Sequence, residues 1–173
     1  MRKPLIFAAL VLAIPALAGA QAPAAPAPTP PPPRARGPAL DPAVDMARQA
    51  VATCTTNGYK TTALVTDSAG VPVVLLSGDG ASERTQMIAG TKVAASLKYK
   101  MDGDAIVAKA KADPAFTKAL MDDPKIGGIR QGALLIKVGA EIIGAIAVSG
   151  APGGDKDEVC SKAGLDKVAS RLK

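Results

Sequence analysis

The residues that could do chemistry in this chain are few, and an absence limits them first. The 173-residue sequence contains no histidine. Histidine is the usual general base near neutral pH and the commonest metal ligand. No nucleophile–base pair, CxxC redox motif or metal-binding spacing takes its place, so no catalytic residue and no metal ligand is assigned. What remains is two glycine-bearing loops, each followed by a helical pattern. Gly78–Asp79–Gly80–Ala81–Ser82 leads into one, and Ser149–Gly150–Ala151–Pro152–Gly153–Gly154 into the other. Backbone N–H groups at a helix start can hold a carboxylate or phosphate. Asp79, Gly80, Ser149, Gly150, Gly153 and Gly154 are therefore candidate ligand-loop residues, with plain turn geometry as the competing reading. Arg84, Lys92, Lys98 and Arg130 are candidate partners for an anion. Asp155 and Asp157 read as helix capping and solvated surface.

The elements that must position these groups are organised around Ala133–Gly150. This stretch is rich in β-branched and small apolar residues, with charges only near Val138–Gly139–Ala140. It predicts two strands joined by a tight turn, central enough to be covered by helices. Thr62–Asp67 and Val71–Ser77 read as a second pair, with Pro72 at a strand start or edge. Asp41–Pro42 reads as N-cap and first turn of a helix closed by Asn57–Gly58. Ser82 is placed as the cap of a helix from Glu83 to Tyr99, whose inward stripe is read as Met87, Ile88, Thr91, Ala94 and Ala95. Two short helices follow, broken at Asp113–Pro114. Asp155 is read as the cap of a last helix running to Leu172, with Val159, Cys160, Ala163 and Val168 inward. The order predicts an α+β fold with a central, mostly antiparallel sheet and helices packed around it. The GxG fragments lack the strand–GxGxxG–helix context of a nucleotide site.

The ends set the compartment. Arg2 and Lys3 precede an apolar run from Leu5 to Leu17 and a small-residue Ala18–Gly19–Ala20. This is the pattern of a secretory signal peptide over residues 1–20, too short for a membrane span. It places the protein in the periplasm or outside the cell, with no stable span after cleavage. Residues 21–39 hold eight prolines and read as an extended spacer. Residues 40–173 form one domain. Four of the 21 basic residues (Arg2, Lys3, Arg34 and Arg36) precede that domain, so its own charge is nearly balanced against the 15 acidic ones. With no tryptophan and two residues each of tyrosine and phenylalanine, the chain offers no stacking platform for nucleic acid. Cys54 and Cys160 fall in the first and last helical patterns. They are a disulfide in an oxidising compartment if those helices are neighbours, and separate core thiols otherwise.

Three segments in order, ALVTDSAGVPVVLLSGDGA at 63–81, GALLIKVGAEIIGAIAVSG at 132–150 and GGDKDEVCSKAG at 153–164, resemble the GlcG/HbpS haem-binding family, also found as the C-terminal part of PduO-type proteins. The resemblance implies a compact α+β domain, homo-oligomers and haem as the cofactor. It marks Asp79, Gly80, Ala81, Gly150, Asp157, Ala163 and Gly164 as family-pattern residues and carries over no axial ligand. From the residues themselves, Tyr99, Met87, Lys98 and Arg130 are the candidate cofactor contacts: Tyr99 and Met87 for iron, Lys98 for a propionate, and Arg130 as an anion partner. Without haem, the domain would bind a small anion or serve as a structural oligomeric module.

Overall fold

The computed structural model describes residues 35–173. The signal read at residues 1–20, and most of the proline-rich spacer, lie outside the described residues. In chain order the elements are α1 (Leu40–Thr56), β1 (Thr62–Asp67), β2 (Pro72–Ser77), α2 (Glu83–Tyr99), α3 (Gly103–Ala112), α4 (Pro114–Asp122), β3 (Ala133–Val138), β4 (Glu141–Ser149), α5 (Gly154–Val168) and a single 3₁₀ turn, Ala169–Arg171. The four strands make one sheet in the order β2-β1-β4-β3. Every pairing is antiparallel. The 133–150 hairpin supplies β3 and β4, and β4 lies between β1 and β3 as an inner strand. Gly144 is needed there because a Cβ would run into the Thr66 carbonyl of β1.

Strand alternation sorts the core into two faces. Val65, Ile136, Ile146 and Val148 point to the side covered by α1 and α5. Those helices answer with small groups, Ala43, Ala47 and Ala50 on α1 and Gly164 on α5. A Cβ at Gly164 would sit 3.1 Å from the Ala50 Cβ and press on the Met46 carbonyl. The same two helices are joined by a Cys54–Cys160 disulfide, Cα–Cα 5.6 Å. On the opposite side the strands present Leu64, Ala133, Ala145 and Ala147 to Ala89 and Val93 of α2. A satellite core under α3 and α4 is built from Ile106, Phe116, Leu120 and Ile126.

Four local expectations are corrected. Helix α1 starts at Leu40 with Ala39 at the N-cap and no side-chain cap, so Asp41 is a first-turn acid facing the helix dipole. Helix α2 buries Ala89, Lys92, Val93, Ala95 and Ser96, while Met87 is 66% exposed. Met87 is turned out because the alanine floor of the sheet accepts the closely approaching stripe of Ala89, Lys92 and Val93 instead. Helix α5 has Gly153 at its N-cap and Asp155 in its first turn, and it gives way to the 3₁₀ turn after Val168. Val159 is exposed, whereas Asp157 is 4% exposed. By contrast Asp113 does cap α4, accepting the Phe116 N–H at 3.0 Å. Among the described residues no helix is long and apolar enough to cross a membrane.

Candidate functional site

Lys92 and Asp157 are the centre of the polar architecture. Lys92 sits at helical spacing with Ala89, Val93 and Ser96, so its side chain is carried inward with that small-residue stripe. It is 3% exposed. Its ammonium donates to Asp157 Oδ2 at 2.6 Å and to the Val148 carbonyl at 2.7 Å. Asp157 Oδ1 accepts the Ala151 N–H at 2.9 Å. Burial pushes the Lys92 ammonium below its ordinary pKa and the Asp157 carboxyl above its own, while their mutual attraction and hydrogen bond pull the other way. Arg130 adds a like charge that lowers Lys92 further. Such a pair is close to neutral in net stability but leaves a costly orphan if one partner is lost.

Helix α5 continues the same service one position on. Glu158 accepts the Gly132 N–H and the Gln131 side-chain amide, both at 3.2 Å. Ser161 Oγ donates to the Gly132 carbonyl at 2.8 Å. Burial raises the Glu158 carboxyl above its usual range. The Gly132 backbone has φ +118°, and a Cβ there would meet the Lys92 Nζ at 2.7 Å. Gly150, at φ +126°, backs onto the Lys60–Thr61 backbone. Close packing therefore requires glycine at both positions, at Gly132 against the ion pair and at Gly150 against the backbone that precedes β1.

In front of this pair lies a cleft of about 520 Å³ between the start of α2, the α4–β3 loop and the β4–α5 loop. Its size falls within the ~300–1,000 Å³ of ordinary small-molecule sites. Ile88, Val107, Ile129 and Pro152 give it apolar surface, and Arg84 and Arg130 give it positive charge. Arg130 folds back to donate to the Ile126 carbonyl at 3.0 Å, with a longer contact to the Gly127 carbonyl. Two backbone carbonyls do not exhaust five guanidinium donors. Arg84 is exposed and has no ion-pair partner among the described residues. Asp155 also lines the cleft, and Asp157 is neutralised by Lys92. The arrangement can hold an anionic ligand with an apolar body.

The residues singled out in the sequence are distributed over separate places. Arg130, Ser149, Gly150, Gly153 and Gly154 line this cleft. Lys98 pairs with Asp123 at 2.6 Å on the rim of a second cleft of about 570 Å³, bounded by Leu64, Gly90 and Leu97. Tyr99 packs edge-on against Phe116, ring centroids 4.7 Å apart, with the Lys98 ammonium 5.4 Å from its ring centre. Met87 lines neither cleft. Asp79 lies with Tyr59 and Thr55 in a smaller hollow beside α1, and Gly80 in the adjoining turn has φ +73°.

Sequence reasoning missed the Lys92–Asp157 pair. By residue type and position Lys92 reads as an anion partner and Asp157 as capping or solvated surface. A signal did exist in spacing: Asp157, Cys160, Ser161, Gly164 and Val168 fall on one helix face, so the acid belongs to a buried small-residue stripe.

The crystal structure of HbpS matches with a TM-score of 0.69 at 26% identity, covering 79% of this chain and 93% of that one. Klebsiella pneumoniae protein ORFY matches with a TM-score of 0.71 at 18% identity, over 83% and 99% of the two chains. A PduOC–haem complex matches with a TM-score of 0.66 at 13% identity, over 74% and 92%. The last two likenesses concern the fold alone. No curated protein matches the sequence. The family model described as "haem degrading protein HbpS-like" matches residues 39–166, and the chain therefore belongs to the HbpS-like family.

Proposed function

We propose that this is an exported haem-binding protein that takes the group in the cleft in front of Lys92 and Asp157. The observation that carries the reading is the cleft's composition, apolar walls with two arginines beside them, in a chain of the HbpS-like family. A haem presents an apolar macrocycle and two carboxylates. Ile88, Val107 and Ile129 would pack on the ring, and Arg84 and Arg130 would pair with the propionates, so the residues present fit the macrocycle and its carboxylates. When bound, haem supplies a redox-active iron. The chain's own part is to hold the carboxylates and shield the ring, with Asp157, Glu158 and Ser161 fixing the loops that form the walls.

Titration of the purified protein with hemin tests this. A saturable Soret shift at one haem per chain is expected, weakened in Arg84→Glu. An unsaturable, non-specific response would remove the reading. Met87→Ala and Tyr99→Phe should leave the titration unchanged, because neither residue lines the cleft.

Export is supported by the residue 1–20 pattern and by the disulfide, which belongs to an oxidising compartment. Cell fractionation would find the protein in the periplasm or medium, and retention in the cytoplasm would contradict it. A homo-oligomer is supported by β2, an edge strand with Val71 beside it and Leu75 on it exposed. Sedimentation would give its size, and a monomer at all concentrations would contradict it. The second reading is a small-anion site without haem. It is favoured by the absence of histidine, tyrosine, methionine and cysteine from the cleft lining. Phosphate and carboxylates, but not hemin, would then raise the melting temperature.

A further inference from the structure

We infer that the cleft recognises the porphyrin through its carboxylates and apolar edge rather than through iron, so that metal-free protoporphyrin occupies the same site. This rests on the haem reading above and extends its ligand class to tetrapyrroles without a metal.

Few groups in this chain can ligate a haem iron strongly. Histidine is absent from the whole chain. Both cysteines are consumed in the disulfide between α1 and α5. Tyr59 lies in the hollow beside α1, and Tyr99 packs on Phe116 in the satellite core. Met46 is fully buried among α1 residues, Met87 and Met121 are exposed, and Met101 packs against the satellite core. None of these residues lines the cleft, whose remaining donors are weaker oxygen ligands such as those of Asp155, Thr85 and Ser149.

The amine that does line it, Lys92, is already engaged. Its nitrogen donates to Asp157 at 2.6 Å and to the Val148 carbonyl at 2.7 Å, and at 3% exposure it offers no open face to a metal. By contrast, the groups suited to the periphery of a tetrapyrrole are all present. Arg84 has no ion-pair partner among the described residues. Arg130 retains guanidinium donors beyond its two backbone carbonyls. Arg130 also bears on the Lys92 ammonium as a like charge, a repulsion that a bound carboxylate relieves.

The test is a parallel titration of the purified protein with hemin and with metal-free protoporphyrin IX, followed by competition of one against the other. Expected are equal stoichiometry, dissociation constants within about threefold of each other, displacement of hemin by the metal-free ring, and a loss of about tenfold for both ligands in Arg84→Glu. Arg84 is exposed, so that variant should keep the parent's circular dichroism and melting temperature. Saturable hemin binding with no competing protoporphyrin binding would overturn the inference while leaving the haem reading intact. Equal binding untouched by Arg84→Glu would place the ring elsewhere and overturn it too. Failure of both ligands to saturate would remove the haem reading, and this inference with it.

Discussion

The two faces of the sheet are built by opposite rules. On the α1/α5 face the strands contribute the bulk, with Val65, Ile136, Ile146 and Val148, and the helices contribute alanines and Gly164. That face is apolar and cross-linked. On the α2 face the strands contribute Ala133, Ala145 and Ala147. The room left above this alanine floor takes the long aliphatic stem of Lys92, which ends on a buried acid. One face converts apolar area into stability. The other gives up area to hold a polar centre, and the cleft opens beside that centre. The lesson is that small residues serve two ends: close helix packing on one side, and space for a buried charge on the other.

The largest expected effect breaks the polar side. Lys92→Met should cost about 3–5 kcal/mol, because Asp157 is left charged and buried. Adding Asp157→Asn should recover at least about half of that loss in urea unfolding. The pH dependence has a definite sign. Burial already holds the Asp157 carboxyl above its ordinary value, and removing Lys92 raises it further. The folded variant then binds a proton more tightly than the unfolded chain, so its stability falls as pH rises above the ordinary carboxyl pKa. The deficit should shrink in mildly acidic buffer, and a deficit independent of pH would contradict the pairing.

The apolar face should respond next. Replacing Cys54 and Cys160 together by alanine should cost about 2–4 kcal/mol, since the bond spans a sequence separation of 106 and restricts the unfolded chain. The loss should be matched by adding reductant to the parent protein. Gly164→Val should cost about 1–3 kcal/mol by forcing α5 away from α1. An equal substitution at Gly90, whose Cβ would meet nothing within 4 Å, should produce no such clash. Equal costs at the two sites would blur the distinction between the faces.

The smallest effect concerns the exposed Lys98–Asp123 pair. The Lys98 hydrogen bond holds the Asp123 carboxyl below its usual range, and Asp123 raises Lys98. Its contribution is present above the ordinary carboxyl pKa and below the ordinary lysine pKa. It is lost as pH falls through the lowered Asp123 value or rises through the raised Lys98 value. Asp123→Asn should shift the acid limb of the melting curve slightly and leave hemin binding in the other cleft unchanged.

Much of the fold was legible because it depends on local pattern. The dense apolar run of 133–150, broken only at the Val138–Gly139–Ala140 turn, specifies paired strands whatever surrounds them, and Asp113–Pro114 specifies a helix start through one side-chain bond. The α2 stripe was not legible from hydropathy. Met87 and Ile88 are more apolar than Lys92 and Ser96, yet Lys92 and Ser96 are the buried pair. The cleft was half legible. Arg130 and the Ser149–Gly154 loop were identified and do share it, whereas Tyr99, Met87 and Lys98 lie elsewhere.

By itself the sequence determined the antiparallel hairpin, the succession of helices around it, the lack of histidine chemistry and the family to which the segments belong. Tertiary structure decided which charges are buried and which residues share a cavity. The physical reason is reach. Strand alternation and capping act over a few residues, but the 2.6 Å contact between Lys92 and Asp157 joins groups 65 positions apart. Its existence depends on how α2, β4 and α5 pack together.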